Sequence, residues 1–202
     1  MLKSSAERAL GAISRRQRNS GPMALFALPV TEVLVVADGW RSEPDVEAVI
    51  HRAIATAAEI VHAGGGDTGR GEAELAVMLT DDAGIRTLNS NWRGIDKPTN
   101  VLSFPALQPT GAGGPDDAPR MLGDIAIAYE TTRKEADDEQ KPFDHHLSHL
   151  AVHGFLHLIG YDHENDGDAE AMEALEQEIL AQLGIPDPYA DRDPDADRER
   201  TD

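Results

Sequence analysis

The chain has 202 residues, of which 40% are hydrophobic, so it is long enough for one domain with a substantial apolar core. It contains no cysteine, which excludes disulfides, thiolate metal ligands and a cysteine nucleophile, and which is typical of a reducing compartment such as the cytoplasm. The net charge of −19 disfavours non-specific contact with nucleic acid or anionic membranes. The sequence contains no run of roughly 18 apolar residues, so no membrane span is predicted.

The two ends of the chain lack the periodicity of packed elements. Residues 1–29 have no apolar core of signal-peptide length and are predicted to be a flexible N-terminal extension. Residues 186–202 alternate Asp, Arg and Pro and are predicted to be a disordered acidic tail. A single domain is therefore predicted over residues 30–185, with a surface loop rich in Gly, Pro and Asp at 109–119.

Within this domain, apolar runs and alternating patterns predict strands, and spacing of three to four residues predicts helices. In chain order the predicted elements are strand Val33–Ala37, helix Val46–Val61, strand Glu74–Leu79, a helix capped by Asp81 and running to about Asn91, strands Val101–Phe104 and Gly123–Ala128, and helices Glu130–Asp138, Asp144–Ile159 and Asp168–Leu183. Strands mixed with helices predict an α/β or α+β fold with about four strands.

The segment 153–163 narrows the function most, because it contains three histidines within eleven residues. A spacing of four places His153 and His157 on one face of a helix, one turn apart, where two imidazoles can hold one metal ion. Gly160 accepts the left-handed backbone that ends a helix, so the chain can turn and bring in His163 as a third ligand. Three nitrogen ligands with an open fourth position are typical of a catalytic zinc site.

The alternative interpretation is that these histidines share no role. The surrounding helix is apolar, however, so the rings are expected to be partly buried, and a buried polar ring needs a partner. His145 and His149 continue the same stripe without a turn and a further ligand, so we predict that they are exposed or support the ligands. Asp162, Glu164 and backbone carbonyls are the candidate hydrogen-bond acceptors for the ligating rings.

A zinc ion held by three neutral histidines lowers the pKa of a bound water to about 7, so hydrolysis is the default reaction class. The bond attacked can be a phosphodiester or an amide. The histidine spacing also matches the long motif of metzincin peptidases, whose general base is a Glu directly after the first His. Gly154 stands there and cannot accept a proton, which argues against proteolysis. Arg93 precedes a predicted turn, where an arginine is either a solvated loop residue or a clamp for a metal-bound phosphate.

Segment 153–163 resembles the signature of the YbeY family of bacterial endoribonucleases, His-Gly-x-Leu-His-Leu-x-Gly-Tyr-Asp-His, and matches every fixed position. Two further blocks are similar to the family in order and spacing. They are Leu88-Asn89, Trp92-Arg93-Gly94 and Lys97-Pro98-Thr99-Asn100-Val101-Leu102-Ser103-Phe104-Pro105 in the first, and Leu122-Gly123-Asp124-Ile125 in the second. The resemblance extends over about residues 30–185.

This resemblance implies a zincin-like α+β fold, with a small mixed sheet packed with helices and a metal-binding helix followed by a Gly turn. It implies one Zn²⁺ per chain bound by His153, His157 and His163, and a catalytic contribution from Arg93. It further implies a metal-dependent endoribonuclease, specific for single-stranded RNA, that matures the 3′ end of 16S rRNA and takes part in ribosome quality control. The implied partners are the ribosomal small subunit and ribosome-associated proteins. Asn100 stands where many members have Asp, so we predict no proton-transfer role for it.

Two alternative functions and two mechanisms stay open from the sequence. One alternative is a zinc metallopeptidase, which Gly154 disfavours. The other is a non-catalytic ribosome assembly factor with a structural metal, which the charge of −19 favours because a free ribonuclease gains from a basic face. For the nuclease, attack by metal-bound hydroxide can leave a 5′-phosphate, whereas attack by the RNA's own 2′-OH leaves a cyclic phosphate.

Overall fold

The structure is a computed structural model that describes residues 27–66, 73–107, 120–163 and 165–190, without the side chain of Asp166. Its elements are β1 (Val30–Val35), a 3₁₀ helix (Asp38–Ser42), α1 (Val46–Ala63), β2 (Ala73–Thr80), α2 (Asp82–Arg93), β3 (Val101–Pro105), β4 (Arg120–Ala128), α3 (Tyr129–Asp138), α4 (Phe143–Leu158) and α5 (Asp166–Gln182). The predicted α+β fold class is confirmed. Most of the predicted extension and tail, and all of the predicted loop 109–119, lie outside the described residues.

A mixed four-stranded sheet lies at the centre of the fold, with the strand order β1-β2-β4-β3. The first three of these strands are parallel, so that Val33 lies opposite Val77 and Val77 lies opposite Ile125. β3 pairs antiparallel with β4 and places Ser103 opposite Ile125. Among the described residues, one long side of β3 is therefore a free sheet edge, and the cleft described below lies along it.

The larger core lies on one face of the sheet, beneath α1, α4 and α5. The strand residues that face it, such as Leu75, Val77 and Ile127, are almost completely buried. α4 is buried on most of its circumference, and its buried residues are His146, Leu147, Ser148, Leu150, Ala151, Val152, Gly154, Phe155, Leu156 and Leu158. A helix packed on so many sides holds its few accessible side chains in fixed positions.

A smaller core on the opposite face of the sheet holds α2. Ile85 packs there with Leu102, Ala126 and Ala128. Asp81 caps α2 as predicted, because its side chain accepts a hydrogen bond from the backbone N–H of Gly84 at 2.7 Å. At its other end, α2 stops at Arg93, beside the edge strand β3.

The start of the domain differs from the prediction. β1 begins and ends earlier than the predicted strand Val33–Ala37, because the parallel pairing with β2 sets its register. The chain then forms the 3₁₀ helix, which was not predicted since five residues show no periodicity. This helix buries Trp40 completely, and the indole N–H of Trp40 donates a hydrogen bond to the Thr80 carbonyl at 2.7 Å.

Within the described part of the chain, no helix combines the length and the apolar character needed to cross a membrane.

Gly154 allows α4 to approach the sheet closely. A Cβ atom at this position would lie 2.9 Å from Cγ2 of Ile125 and 3.1 Å from its Cδ1. The hydroxyl of Ser103 donates to the Gly154 carbonyl at 3.3 Å, so the helix contacts both β3 and β4 at this point. The residue after the first histidine thus faces the sheet.

Replacing Gly154 with Ala should destabilise the protein by about 1–3 kcal/mol, because the added methyl group forces apart a packed helix and sheet. Urea unfolding measures the change. Gly167→Ala is the matched control, since its Cβ meets only Asn165 Oδ1, at 3.7 Å, and it should be neutral or slightly stabilising. Equal stability of both variants would contradict the close approach of α4.

Candidate metal centre

His153 and His157 project from the last two turns of α4 towards each other. Their Nε2 atoms lie 3.1 Å apart, and their ring centroids are separated by 4.6 Å. Two nitrogen ligands of one tetrahedral zinc ion lie about 3.3 Å apart, since each Zn–N bond is about 2.0–2.1 Å long. The spacing of four residues on a rigid helix therefore produces a separation suitable for a shared ion.

The turn after α4 brings His163 to the same point. Gly160 adopts a φ of +95°, the left-handed conformation expected of it, and the N–H of Tyr161 donates to the Leu156 carbonyl at 3.0 Å. The ring centroid of His163 lies 5.1 Å from that of His157 and 5.8 Å from that of His153. One nitrogen from each of the three rings lies within 4.8 Å of the others, so this triad can hold a metal ion.

The hydrogen-bond partners determine which ring nitrogens carry protons. Nδ1 of His157 lies 3.0 Å from the Tyr161 carbonyl, which can only accept, so this nitrogen is the donor. Nδ1 of His153 lies 2.7 Å from Oε1 of Glu176 and donates to that carboxylate. In the neutral rings both Nε2 atoms are then acceptors, and two lone pairs face each other across 3.1 Å. A cation between them turns this repulsion into attraction, so the residues present fit a metal.

Glu176 is the supporting residue that the sequence analysis missed. It lies in the middle of α5 with only 1% of its surface exposed, and its Oε2 accepts from the hydroxyl of Tyr189 and lies 3.4 Å from Nε2 of His149. Burial alone would raise its pKa, but hydrogen bonds from His149 and His153, the charge of His153 and the Tyr189 hydroxyl lower the pKa to about 2. The carboxylate therefore stays ionised and orients His153.

A signal for Glu176 does exist in the sequence. This position lies four residues after Met172 and four before Leu180, both of which are buried in the core. A carboxylate on the apolar face of a helix requires a buried partner, which in this fold comes from α4. Among the predicted acceptors, a backbone carbonyl does orient a ring, since Nδ1 of His157 donates to the Tyr161 carbonyl. Asp162 accepts from the backbone N–H of His163 at 2.7 Å, and Glu164 lies outside the described residues.

The environment also prepares His157 for a cation. Burial lowers its pKa first, and the nearby charges of His153 and His163 lower it further. An imidazole must be deprotonated to bind a metal, so a low pKa keeps this ring ready at neutral pH.

The triad opens into a cleft of about 490 Å³. One wall is formed by the alternate residues of β3, Val101, Ser103 and Pro105, and the other by the end of α4 and the turn after it. Arg93, at the end of α2, also lines this cleft. Among the residues that the structure describes, no carboxylate forms an ion pair with the Arg93 guanidinium.

Comparison with known protein families identifies the family to which the chain belongs. The model of the family described as Endoribonuclease YbeY matches residues 41–184, which include the whole triad and Arg93. The chain belongs to the YbeY family. An Endoribonuclease YbeY from Nitrobacter hamburgensis is 75% identical over 174 residues, covering 86% of this chain and 89% of that relative. One from Bradyrhizobium diazoefficiens is 79% identical over 165 residues, covering 82% and 87%.

A solved structure is also similar to this chain. The solution structure of TM1509 from Thermotoga maritima has 25% sequence identity and a TM-score of 0.48, and the match covers 82% of this chain and 98% of that one.

Two other residues named in the sequence analysis lie near the triad, and the ring of His149 packs edge-on against that of His153 with a centroid distance of 6.5 Å. His149 binds the outer side of Glu176, as expected for a supporting residue. Asn100 accepts from the backbone N–H of Val101 at 2.7 Å and donates to Glu135 at 3.0 Å. Asn100 thus stabilises the start of β3 and lies outside the cleft lining.

Ligand removal should separate the triad from the rest of the histidine stripe. His153→Ala or His163→Ala should reduce bound metal well below one ion per chain, because two imidazoles hold a divalent ion weakly. His145→Ala, in the same helix, should retain the metal. Elemental analysis of protein purified without a nickel column measures this, and equal losses in all three variants would refute the assignment.

Glu176→Gln should weaken metal binding by about 10–100-fold, because a neutral amide orients and polarises His153 less well than a carboxylate. Competition with a chromophoric chelator measures the affinity. Glu178→Gln, an exposed change in the same helix, is the control and should leave the affinity unchanged. An unchanged affinity in Glu176→Gln would show that the carboxylate only fills space.

Proposed function

We propose that this chain is a zinc-dependent endoribonuclease that cleaves single-stranded RNA at the three-histidine centre. The observation that carries the proposal is the distance of 3.1 Å between Nε2 of His153 and Nε2 of His157, with His163 beside them in an open cleft. The names of the relatives, all Endoribonuclease YbeY, support RNA as the substrate.

We further propose that the substrate is the 3′ end of 16S rRNA within particles of the ribosomal small subunit in the cytoplasm, as part of rRNA maturation and ribosome quality control. A chain with a net charge of −19 gains little from non-specific attraction to free RNA. A ribosome-associated protein with a basic surface supplies that attraction and brings the RNA to the cleft.

His153, His157 and His163 would hold the ion, and Glu176 would fix the first of them. When bound, zinc supplies Lewis-acid activation of a water and of a phosphate oxygen. The fork of the Arg93 guanidinium matches two phosphate oxygens, so this side chain binds the scissile phosphate and offsets the charge that develops on it. The free edge of β3 gives an extended strand of RNA room to lie along the cleft.

The packing at Gly154 disfavours the peptidase alternative. A glutamate placed there would need the space that Ile125 occupies, so the general base of metzincin peptidases has no place in this fold. A phosphodiester substrate fits better, because Arg93 lines the cleft and is suited to bind phosphate.

The nuclease proposal predicts that purified protein cleaves single-stranded RNA and that His157→Ala does not, since the variant lacks one ligand. Gel analysis of a labelled RNA measures cleavage, and mass analysis of the product ends identifies the nucleophile. A 5′-phosphate indicates attack by water, and a 2′,3′-cyclic phosphate indicates attack by the 2′-OH. The same residual cleavage by both proteins would trace the activity to a contaminant and end the enzyme proposal.

Arg93→Ala should lower kcat by about 10²–10³-fold, the usual effect of removing one group that stabilises charge in the transition state. Its metal content should stay at the wild-type level, which distinguishes a role at the phosphate from damage to the triad. Arg41→Ala is the control, because Arg41 is an exposed arginine of the 3₁₀ helix that pairs with Asp38 at 3.1 Å and does not line the cleft. If both variants keep full activity, Arg93 is only a solvated surface residue.

A further inference from the structure

Trp92 is an exposed aromatic residue beside the metal cleft. Its side chain lies in the last turn of α2 and is 73% exposed, whereas the chain's other tryptophan, Trp40, is completely buried. The next residue, Arg93, lines the cleft.

The ring of Trp92 is supported from one side. Its centroid lies 5.8 Å from that of Phe104 in β3, with an angle of 60° between the rings. The chain neighbours of Phe104, which are Ser103 and Pro105, both line the cleft. Trp92 directly precedes the cleft residue Arg93. Phe104 lies between two cleft residues but points to the opposite face of β3, so the Trp92 ring lies across the edge of this strand from the cleft.

The turn that follows α2 is held in place by its own contacts. Gly94 ends the helix with a φ of +72°, and the side chain of Asn89 donates to the Lys97 carbonyl at 2.8 Å. The ring of Trp92 is thus presented from a defined backbone, so little conformational entropy is lost when a ligand stacks on it.

The local charge differs in sign from that of the whole chain. Asp96, the one carboxylate in the segment 92–97, is bound by Arg86 through two hydrogen bonds of 2.6 and 2.8 Å. Within the described ranges, Arg93 and Lys97 have no carboxylate partner. An exposed ring with two available cations suits a ligand that is flat, aromatic and anionic, which describes a nucleotide.

We infer that Trp92 is a stacking platform for an unpaired nucleobase of the RNA whose phosphate enters the cleft. This inference rests on the proposed function and adds a specificity determinant to it. A base can stack on the ring only when it is not paired in a duplex, so the platform selects single strands. Stacking on an aromatic ring is tolerant of base identity, so little sequence preference is expected from this contact.

Tryptophan fluorescence gives a direct test with the full-length, metal-loaded protein. The probe is a short oligothymidylate labelled at one end, which an endoribonuclease leaves intact. Binding should quench the emission of Trp92 in a saturable manner, while the buried Trp40 provides a constant background. Quenching should weaken as the salt concentration rises, because the phosphates also contact Arg93 and Lys97.

Variants separate stacking from other roles of the residue. By fluorescence anisotropy, Trp92→Ala should raise the Kd for the oligonucleotide about tenfold or more, and Trp92→Phe should retain most of the affinity. Ile95→Ala, an exposed apolar change in the same turn, is the control and should bind like the wild type. In RNA cleavage, Trp92→Ala should raise KM with little change in kcat, whereas Arg93→Ala acts mainly on kcat.

Each contrary outcome has a distinct meaning. If the wild type cleaves RNA but Trp92→Ala binds the oligonucleotide equally well, the stacking inference fails and the nuclease proposal stands. Equal quenching by duplex and single strand also overturns the inference. Quenching by purified ribosomal particles but not by the oligonucleotide would also overturn the inference, because the ring would then need a contact that a single strand does not supply. If the wild type neither binds nor cleaves RNA, the proposed function fails together with the inference.

Discussion

The close approach of α4 to β4 at Gly154 is the constraint on which the candidate site depends. Because no Cβ separates the helix from Ile125, α4 lies against the sheet and is buried on most of its circumference. The side chains of His153 and His157 can then project only towards the free edge of β3. The same contact explains why the position after the first histidine cannot carry a general base. The packing of α4 against the sheet and the absence of a general base after the first histidine therefore both follow from Gly154.

A second constraint comes from the buried carboxylate of Glu176. Leaving an ionised group at 1% exposure is favourable only because His149, His153 and Tyr189 all bind it. Its negative charge holds a proton on Nδ1 of His153, which leaves the opposite nitrogen free to bind a cation. Three neutral imidazoles carry no charge of their own, so a divalent ion that they bind keeps its positive charge within its ligand set, although the carboxylates of Glu176 and Asp162 lie nearby. In an otherwise acidic chain, that charge and Arg93 make the cleft attractive to a phosphate.

A net charge of −19 opposes the binding of RNA, but the charged groups beside the cleft include cations that can bind phosphate. Arg86 neutralises Asp96, so Arg93, Lys97 and the proposed zinc ion supply positive charge beside β3, where Asp162 is the carboxylate that lines the described cleft. Beyond this edge, the acidic surface disfavours non-specific binding to RNA. The proposed function therefore requires a partner that presents the RNA, and this requirement limits activity on other transcripts.

The sequence alone predicted most of the helices and strands and brought together the three candidate ligands, because both depend on local spacing. His153 and His157 are four residues apart on one helix, and His163 follows three residues after Gly160, which ends the helical turn. This spacing brings the three rings together with little contribution from the rest of the chain. The helices were predicted nearly to their ends for the same reason. Only the tertiary structure decided that Glu176, Ser103 and Trp92 surround this site, since each comes from a different element and their proximity depends on sheet order and helix packing. The register of β1 and the burial of Trp40 were decided in the same way, by pairing with β2 rather than by any pattern in their own residues.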